Sequence, residues 1–269
     1  MPDFLDLLSL PFMQRALIAG VLTGYIASFY GVFVVQRGLS FLGSGLSHAA
    51  FGGVALGILL GYEPLYVSIP FTVTVAVAIV YVKQKSILGS DTAIGIFFSL
   101  SVALGIVFLS LKKTLTTDAY SYLFGSILAV SETDLYIIGI LVVLSIATWP
   151  FWGKIAYASL DPEMARAEKV PVKRDDYLIA IVLSISIVVS IKIVGIILIA
   201  SFLVIPAASA RMVSKTFRGM TLLSVLFGIV GSTLGLLLSY AADIPGGASI
   251  VLLQSAFFLL TLVIKSLRK

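Results

Sequence analysis

Residues 41–61, FLGSGLSHAAFGGVALGILLG, decide the fold class of this chain. They form a run without charge, about as long as a helix must be to cross a hydrocarbon core, and they hold the only histidine, His48. Gly45, Ala49, Gly53, Gly57 and Gly61 recur at every fourth position. On a helix that spacing gathers them into one stripe, along which a neighbouring helix can approach closely. Ser44, Ser47 and His48 lie around the helix from the stripe. An imidazole beside hydroxyls, on a helix built for tight packing in lipid, suggests the lining of a passage. The plainer alternative is a histidine that hydrogen-bonds a neighbouring helix and does nothing more.

The rest of the chain repeats the pattern. Of its 269 residues, 59% are hydrophobic and 12% are charged, against roughly 25% charged in a soluble domain. So little polar surface cannot clothe a water-facing exterior, and the chain reads as an all-α, polytopic transmembrane bundle. Apolar stretches fall at 13–35, 42–61, 64–82, 91–111, 134–152, 177–192, 194–210, 219–241 and 247–264. The sixth and seventh are short and adjoin around Lys192 and Gly195, as a tight pair of spans or a re-entrant hairpin. Eight or nine spans are therefore expected, in a single domain covering 1–269. Residues 120–130, YSYLFGSILAV, are too short to cross and fit an interfacial or re-entrant helix. Other small-residue stripes, Gly95–Ser99–Ala103 and Gly231–Gly235–Ser239, read as packing faces.

Charge orients the bundle. With the C-terminus in the cytoplasm, 14 of the 18 Lys and Arg residues fall inside, and only Arg15, Lys112, Lys113 and Lys192 fall outside. With nine spans the N-terminus then lies outside. The basic excess is thus loop charge facing membrane lipid and not a nucleic-acid surface. Asp3 and Asp6 stand where a cleavable signal would be basic, so none is expected. The long hydrophilic connection is 153–176, GKIAYASLDPEMARAEKVPVKRDD. Within it Asp161 is a good N-cap, Pro162 suits the first helical position and Glu163 the first turn. Val170-Pro171 ends the helix. A short cytoplasmic helix results, on which Met164, Ala165 and Ala167 offer a compact docking surface.

The chemistry absent from the sequence is as informative. There is no G-x-x-x-x-G-K-[ST] loop, no G-x-S-x-G and no H-E-x-x-H, and there are no cysteines. An intramembrane enzyme fits poorly, and movement of a solute fits better. Neutral imidazole is a ligand for zinc, manganese and iron. Asp91 in GSDTAIG reads as an N-cap, and Asp243 in ADIPGG as a turn residue. One histidine per chain is thin for a metal path, which makes a homodimer with two His48 chemically attractive.

Six motifs in order, QRGLSFLGSGLSHAAFGGVALG, DTAIGIFFSLSVALGI, YLFGSILAVSETDL, LDPEMARAEKVPV, VGIILIASFLVIPAASARM and DIPGGASIVLLQSAFF, resemble the metal-ion permease family of ABC importers. The resemblance runs from about residue 15 to the C-terminus. It implies a membrane subunit of the cytoplasmic (inner) membrane that pairs as a homodimer and binds two cytoplasmic ATPase subunits. An extracytoplasmic binding protein would deliver a divalent metal, zinc or manganese first. ATP would be bound and hydrolysed on the partner, with no permanently bound cofactor and no enzymatic activity in the chain itself. The resemblance makes Asp161, Pro162, Glu163, Met164, Ala165, Arg166, Ala167, Glu168 and Lys169 the coupling helix that docks on the ATPase. It places Ser44, Ser47 and His48 on the translocation path, with His48 a transient ligand. Three departures stand out. Ser44 replaces the family's aspartate, Gly52 a common proline, and Lys169 a common glycine. The rival from another class is a stand-alone ion-coupled carrier, which needs coupling acids buried in broken helices. The middles of these spans carry almost none.

Overall fold

The computed structural model describes residues 10–112, 122–125 and 130–267, and among them every long element is a helix. Helix α1 runs Pro11–Gln36, α2 Ser40–Leu60, α3 Pro64–Lys85 and α4 Ser90–Leu111. After these come α5 Glu132–Ala147, α6 Trp149–Leu160 and α7 Pro162–Ala167. The chain closes with α8 Val172–Val194, α9 Ile199–Val213, α10 Phe217–Ala242 and α11 Gly246–Leu267. Prolines open α1 and α3 at positions where their missing N–H costs nothing. Gly61 closes α2 with φ +74°, the left-handed cap that glycine adopts without strain. Ser131 and Asp134 form a reciprocal capping box at the start of α5.

Among the described residues seven helices are long and apolar enough to cross a membrane, and eight if α5 and α6 are taken together. Contacts at the helix ends sort the chain into two faces. At one end, Arg37 after α1 bonds Ser159 of α6 and Asp176 of α8, Lys83 of α3 approaches Asp176, and Arg211 of α9 donates to the Val35 carbonyl. At the other, Lys192 of α8 reaches Asp134 of α5 and Glu63 before α3, and Lys112 after α4 donates to the Ile58 carbonyl of α2. So α8 leaves the Arg37 end and α9 returns to it, which favours a pair of passes over a hairpin. Helix α9 has 15 residues, about 22 Å of helix, and falls short of a full span. Lys113, assigned by charge to the outer side, lies outside the described residues, as do Asp3, Asp6 and the inner-side Arg268 and Lys269.

Three expectations about local structure need correction. The stretch 134–152 is not one straight span. It breaks at Thr148, and α6 bends 74° away from α5. Pro150 cannot donate a backbone N–H to continue the ladder of α5, and the new helix starts around it. Helix α6 then runs to Leu160, so the first part of the hydrophilic connection is helical. Asp91 lies in the first turn of α4, while Gly89 is its N-cap, so the carboxylate faces the helix dipole rather than capping a specific N–H. Asp243 does adopt the expected turn geometry, with φ 51° at the C-terminus of α10. Of the short helix expected within 120–130, Tyr122–Phe124 form one helical turn and residues 120, 121 and 126–129 lie outside the described residues.

Packing is set by small residues. Helix α2 lies between α3 and α4, α1 packs on α10 and α9, and α9 also touches α11. Phe29, Phe33, Leu46, Leu183 and Phe202, all at most 2% exposed, fill the core between α1, α2, α8 and α9. The Gly231–Gly235 stripe faces α11, where a β-carbon on Gly235 would lie 2.6 Å from the Ile250 Cα. The stripe on α2 is divided between two neighbours. Gly53 and Gly57 lie against Ser68 and Pro64 of α3, while Gly45 faces Ile94 of α4. The Gly95–Ser99–Ala103 stripe of α4 packs on nothing in the described chain. A β-carbon on Gly95 would meet no atom within 4 Å, and Ser99 and Ala103 are not buried.

Candidate translocation site

Ser44, Ser47 and His48 come together on the first half of α2, held by their own backbone. The Ser44 carbonyl accepts from the Ser47 hydroxyl at 2.9 Å and lies 2.9 Å from His48 Nδ1. The Ser47 hydroxyl is itself 3.3 Å from the same ring nitrogen. A carbonyl oxygen only accepts, so neutral His48 carries its proton on Nδ1 and keeps a lone pair on Nε2. Nε2 makes no hydrogen bond among the described residues. This is the arrangement in which a metal-ligating histidine is oriented by a backbone acceptor. Ser47 is buried, whereas Ser44 and His48 are half-buried.

Sequence reasoning missed the aromatic wall beside the histidine. The Phe98 ring of α4 lies 4.3 Å from the imidazole, centroid to centroid, and Phe41 lies 6.2 Å from Phe98. Phe98 sits one position before Ser99, so the contact to His48 adjoins the unpartnered stripe of α4. The signal was present as the FF pair in GIFFSL, but nothing in a single sequence ties that pair to α2. Among the described residues no three His, Asp or Glu side chains are arranged to hold a metal. One chain therefore offers a single nitrogen and neighbouring hydroxyls.

The expected coupling segment forms α7 at the Arg37 end. Asp161 is its N-cap, accepting from the Met164 N–H at 2.9 Å, and Pro162 occupies the first helical position. At the other end the Val170 N–H bonds the Ala165 carbonyl at 2.8 Å and the Lys169 N–H the Arg166 carbonyl at 3.0 Å. These two bonds make a Schellman closure, with Lys169 in the left-handed position at φ 61°. The docking surface needs one correction. Ala165 is fully buried against Ala158 and Val172, so it anchors α7 to α6 and α8. Met164, at 56% exposed, and the exposed Glu163, Arg166, Ala167, Glu168 and Lys169 remain available outward. At the same end Arg37, its side chain 9% exposed, ties α6 to α8 through Ser159 and Asp176. Burial lowers the Arg37 guanidinium from its ordinary range, and the Asp176 and Asp175 carboxylates draw it back up.

A multi-pass bundle, helical throughout its long described elements, with a braced short helix at one end, is the architecture of a membrane permease. The chain belongs to the ABC 3 transport family, whose model matches residues 9–265. It is similar to the manganese import system permease protein ScaB of Streptococcus gordonii, 40% identical over 256 residues, covering 94% of this chain and 91% of that one. It is also similar to the high-affinity zinc uptake system membrane protein ZnuB of Haemophilus influenzae, 34% identical, covering 92% and 95%. The solved structure of PsaBC from Streptococcus pneumoniae in complex with Fab superposes with a TM-score of 0.86 at 38% identity, covering 96% and 94%.

Proposed function

We propose that this chain is the membrane permease subunit of an ATP-driven importer of divalent transition-metal ions, manganese or zinc. The observation that carries the reading is His48, fixed in one tautomer by its own helix with Nε2 left for a passing cation. A single nitrogen releases its cargo readily, as transport demands. The unpartnered face of α4 supports a homodimer in which two such faces meet and two His48 rings line one path. Small residues let the two helices approach closely. The buried carboxylates, Asp134 and Asp175, stand in the first turns of α5 and α8. That leaves the middles of the spans without the coupling acids that a stand-alone carrier needs.

In this reading two cytoplasmic ATPase subunits bind ATP and close, pressing on α7. The helix is stopped at both ends and pinned through Ala165, so its motion passes to α6 and α8 as one body. The bundle then alternates its opening between an extracytoplasmic binding protein and the cytoplasm. The Arg37 end faces inward and the Lys192 end outward, with the C-terminus cytoplasmic. Ser44 in place of an aspartate leaves the site without a negative charge, so a dication is held weakly.

The test is metal uptake by the assembled importer. His48→Ala should lower uptake by about tenfold or more, the scale on which even a supporting group changes metal affinity, while dimer and ATPase assembly persist. Ser44→Asp should tighten metal retention. Wild-type uptake by His48→Ala with assembly intact would remove the histidine from the path.

A further inference from the structure

Arg37 carries a buried charge to which the transport reading gives no task. It stands in the short turn, 37–39, that joins α1 to α2. Gly38 reverses the chain there at φ +67°, and the Leu39 N–H bonds back to the Val34 carbonyl at 2.9 Å. From this turn Arg37 Nε donates to the Ser159 hydroxyl of α6 at 2.9 Å, and Nη1 donates to Asp176 of α8. Those two partners adjoin the residues that pin α7, because Ala165 packs on Ala158 of α6 and Val172 of α8. Ser159 follows Ala158 directly, and Asp176 lies one helical turn beyond Val172. One side chain thus joins the anchor of α7 to the start of α2. His48 sits on the same helix, about 12 Å from that start.

The cluster also holds a donor and an acceptor that it does not use. Arg37 Nη2 and Asp175 Oδ2 are both buried without a hydrogen-bond partner among the described residues. Asp175 precedes Asp176 on α8 and is 8% exposed, and its charge acts on Arg37 together with that of Asp176. Each orphaned group costs desolvation energy. One rearrangement satisfies both, a small slide of the α1–α2 turn against α8 that brings Nη2 onto Asp175. Asp176 then keeps Lys83 of α3, whose Nζ is 3.8 Å away. An ion pair with two discrete arrangements is an element that a distant event can bias.

We propose that Arg37 is the positioning residue through which α7 moves α2, exchanging Asp176 for Asp175 when the ATPase subunits close. It acts on the start of α2, and so on the placement of His48, and not on the cargo. This rests on α7 as the helix that receives the ATPase, and it deepens the importer reading by naming the link between the power stroke and the path.

The test uses the chain assembled with its ATPase and binding protein in proteoliposomes, with two readouts. The chain contains no cysteine, so Ser40→Cys at the start of α2 and Lys85→Cys at the end of α3, both at exposed positions, take spin labels cleanly. Diluted with unlabelled chain, the pair reports one distance by pulsed electron paramagnetic resonance. ATP should shift that distance. Asp175→Asn should unfold at or above the wild-type midpoint, since it removes a buried charge whose Oδ2 has no partner in the resting arrangement. Yet the population shifted by ATP should fall about tenfold, the difference between a charge-assisted and a neutral hydrogen bond. Metal moved per ATP hydrolysed should fall with it. If Asp175→Asn does not fold, Ser159→Ala, which removes only the arm to α6, should show the same uncoupling. An undiminished shift in these variants would overturn the proposal, as would a distance in the labelled chain that ignores ATP. So would hydrolysis, distance shift and unfolding midpoint falling together, the mark of a merely structural role. A shift that Asp175→Asn abolishes, in a complex that moves no metal, would sink the importer reading and leave the role of Arg37 standing.

Discussion

Replacing Gly53 by alanine should loosen the bundle where α2 and α3 approach closely. A β-carbon there would sit 2.6 Å from the Ser68 Cα, 3.0 Å from the Ser68 hydroxyl and 3.1 Å from the Phe71 Cβ. Carbon atoms rest at about 3.5–4.0 Å, so the two helices must separate by about 1 Å. The nearest atom is backbone and cannot swing aside. Separation also strains the interhelical bond from the Ser68 hydroxyl to the Ala50 carbonyl, now 3.0 Å. Overpacking costs roughly 1–3 kcal/mol, and a weakened hydrogen bond between spans adds about 0.6 kcal/mol. Better helix propensity returns about 0.5–1 kcal/mol, leaving a net loss of about 0.6–3 kcal/mol by these scales. The control is Gly139→Ala on α5, where a β-carbon meets nothing within 4 Å and only the propensity gain applies. Reversible denaturant unfolding of the purified chain in detergent micelles reads both. Opposite signs are expected. A neutral or stabilising Gly53→Ala would refute the argument that this stripe sets the helix separation.

Two further perturbations follow from the ends of the helices. Lys169→Gly should stabilise the closure of α7 by about 1 kcal/mol, because a non-glycine residue in the left-handed region costs about that much. Slower amide exchange across residues 162–170 would bear this out, and faster exchange would contradict it. Lys192→Met should cost roughly 2–4 kcal/mol, since it strands the buried Asp134 carboxylate with only Ser131 as partner. Adding Asp134→Asn should recover most of that loss in denaturant unfolding, and additive losses in the double variant would count against the pairing.

Much of the fold was legible because the bilayer permits so few solutions. Long uncharged runs must become helices, and the skewed distribution of Lys and Arg separated the residues that the structure gathers at two ends. Asp161-Pro162 read correctly because capping is local chemistry, carried within four residues. What failed was non-local. The break at Thr148 depends on where α6 finds its partners, such as Phe29 of α1 beside Trp149 and Phe217 of α10 beside Trp152. Ala165 looked like docking surface until Ala158 and Val172 covered it. The α2 stripe was visible as a periodicity, but its division between α3 and α4 depends on their arrangement. At the site, Ser44, Ser47 and His48 were legible as one helical face. Phe98 was not, because it comes from another helix fifty residues on.

In the proposed importer the permease moves metal only when a separate subunit binds and hydrolyses ATP. Proteoliposomes containing the chain, its ATPase and its binding protein should accumulate manganese or zinc with ATP inside the compartment that holds the ATPase, and metal should stimulate hydrolysis. Liposomes containing the chain alone should accumulate none under any imposed ion gradient. Gradient-driven metal accumulation by the chain alone would contradict the account.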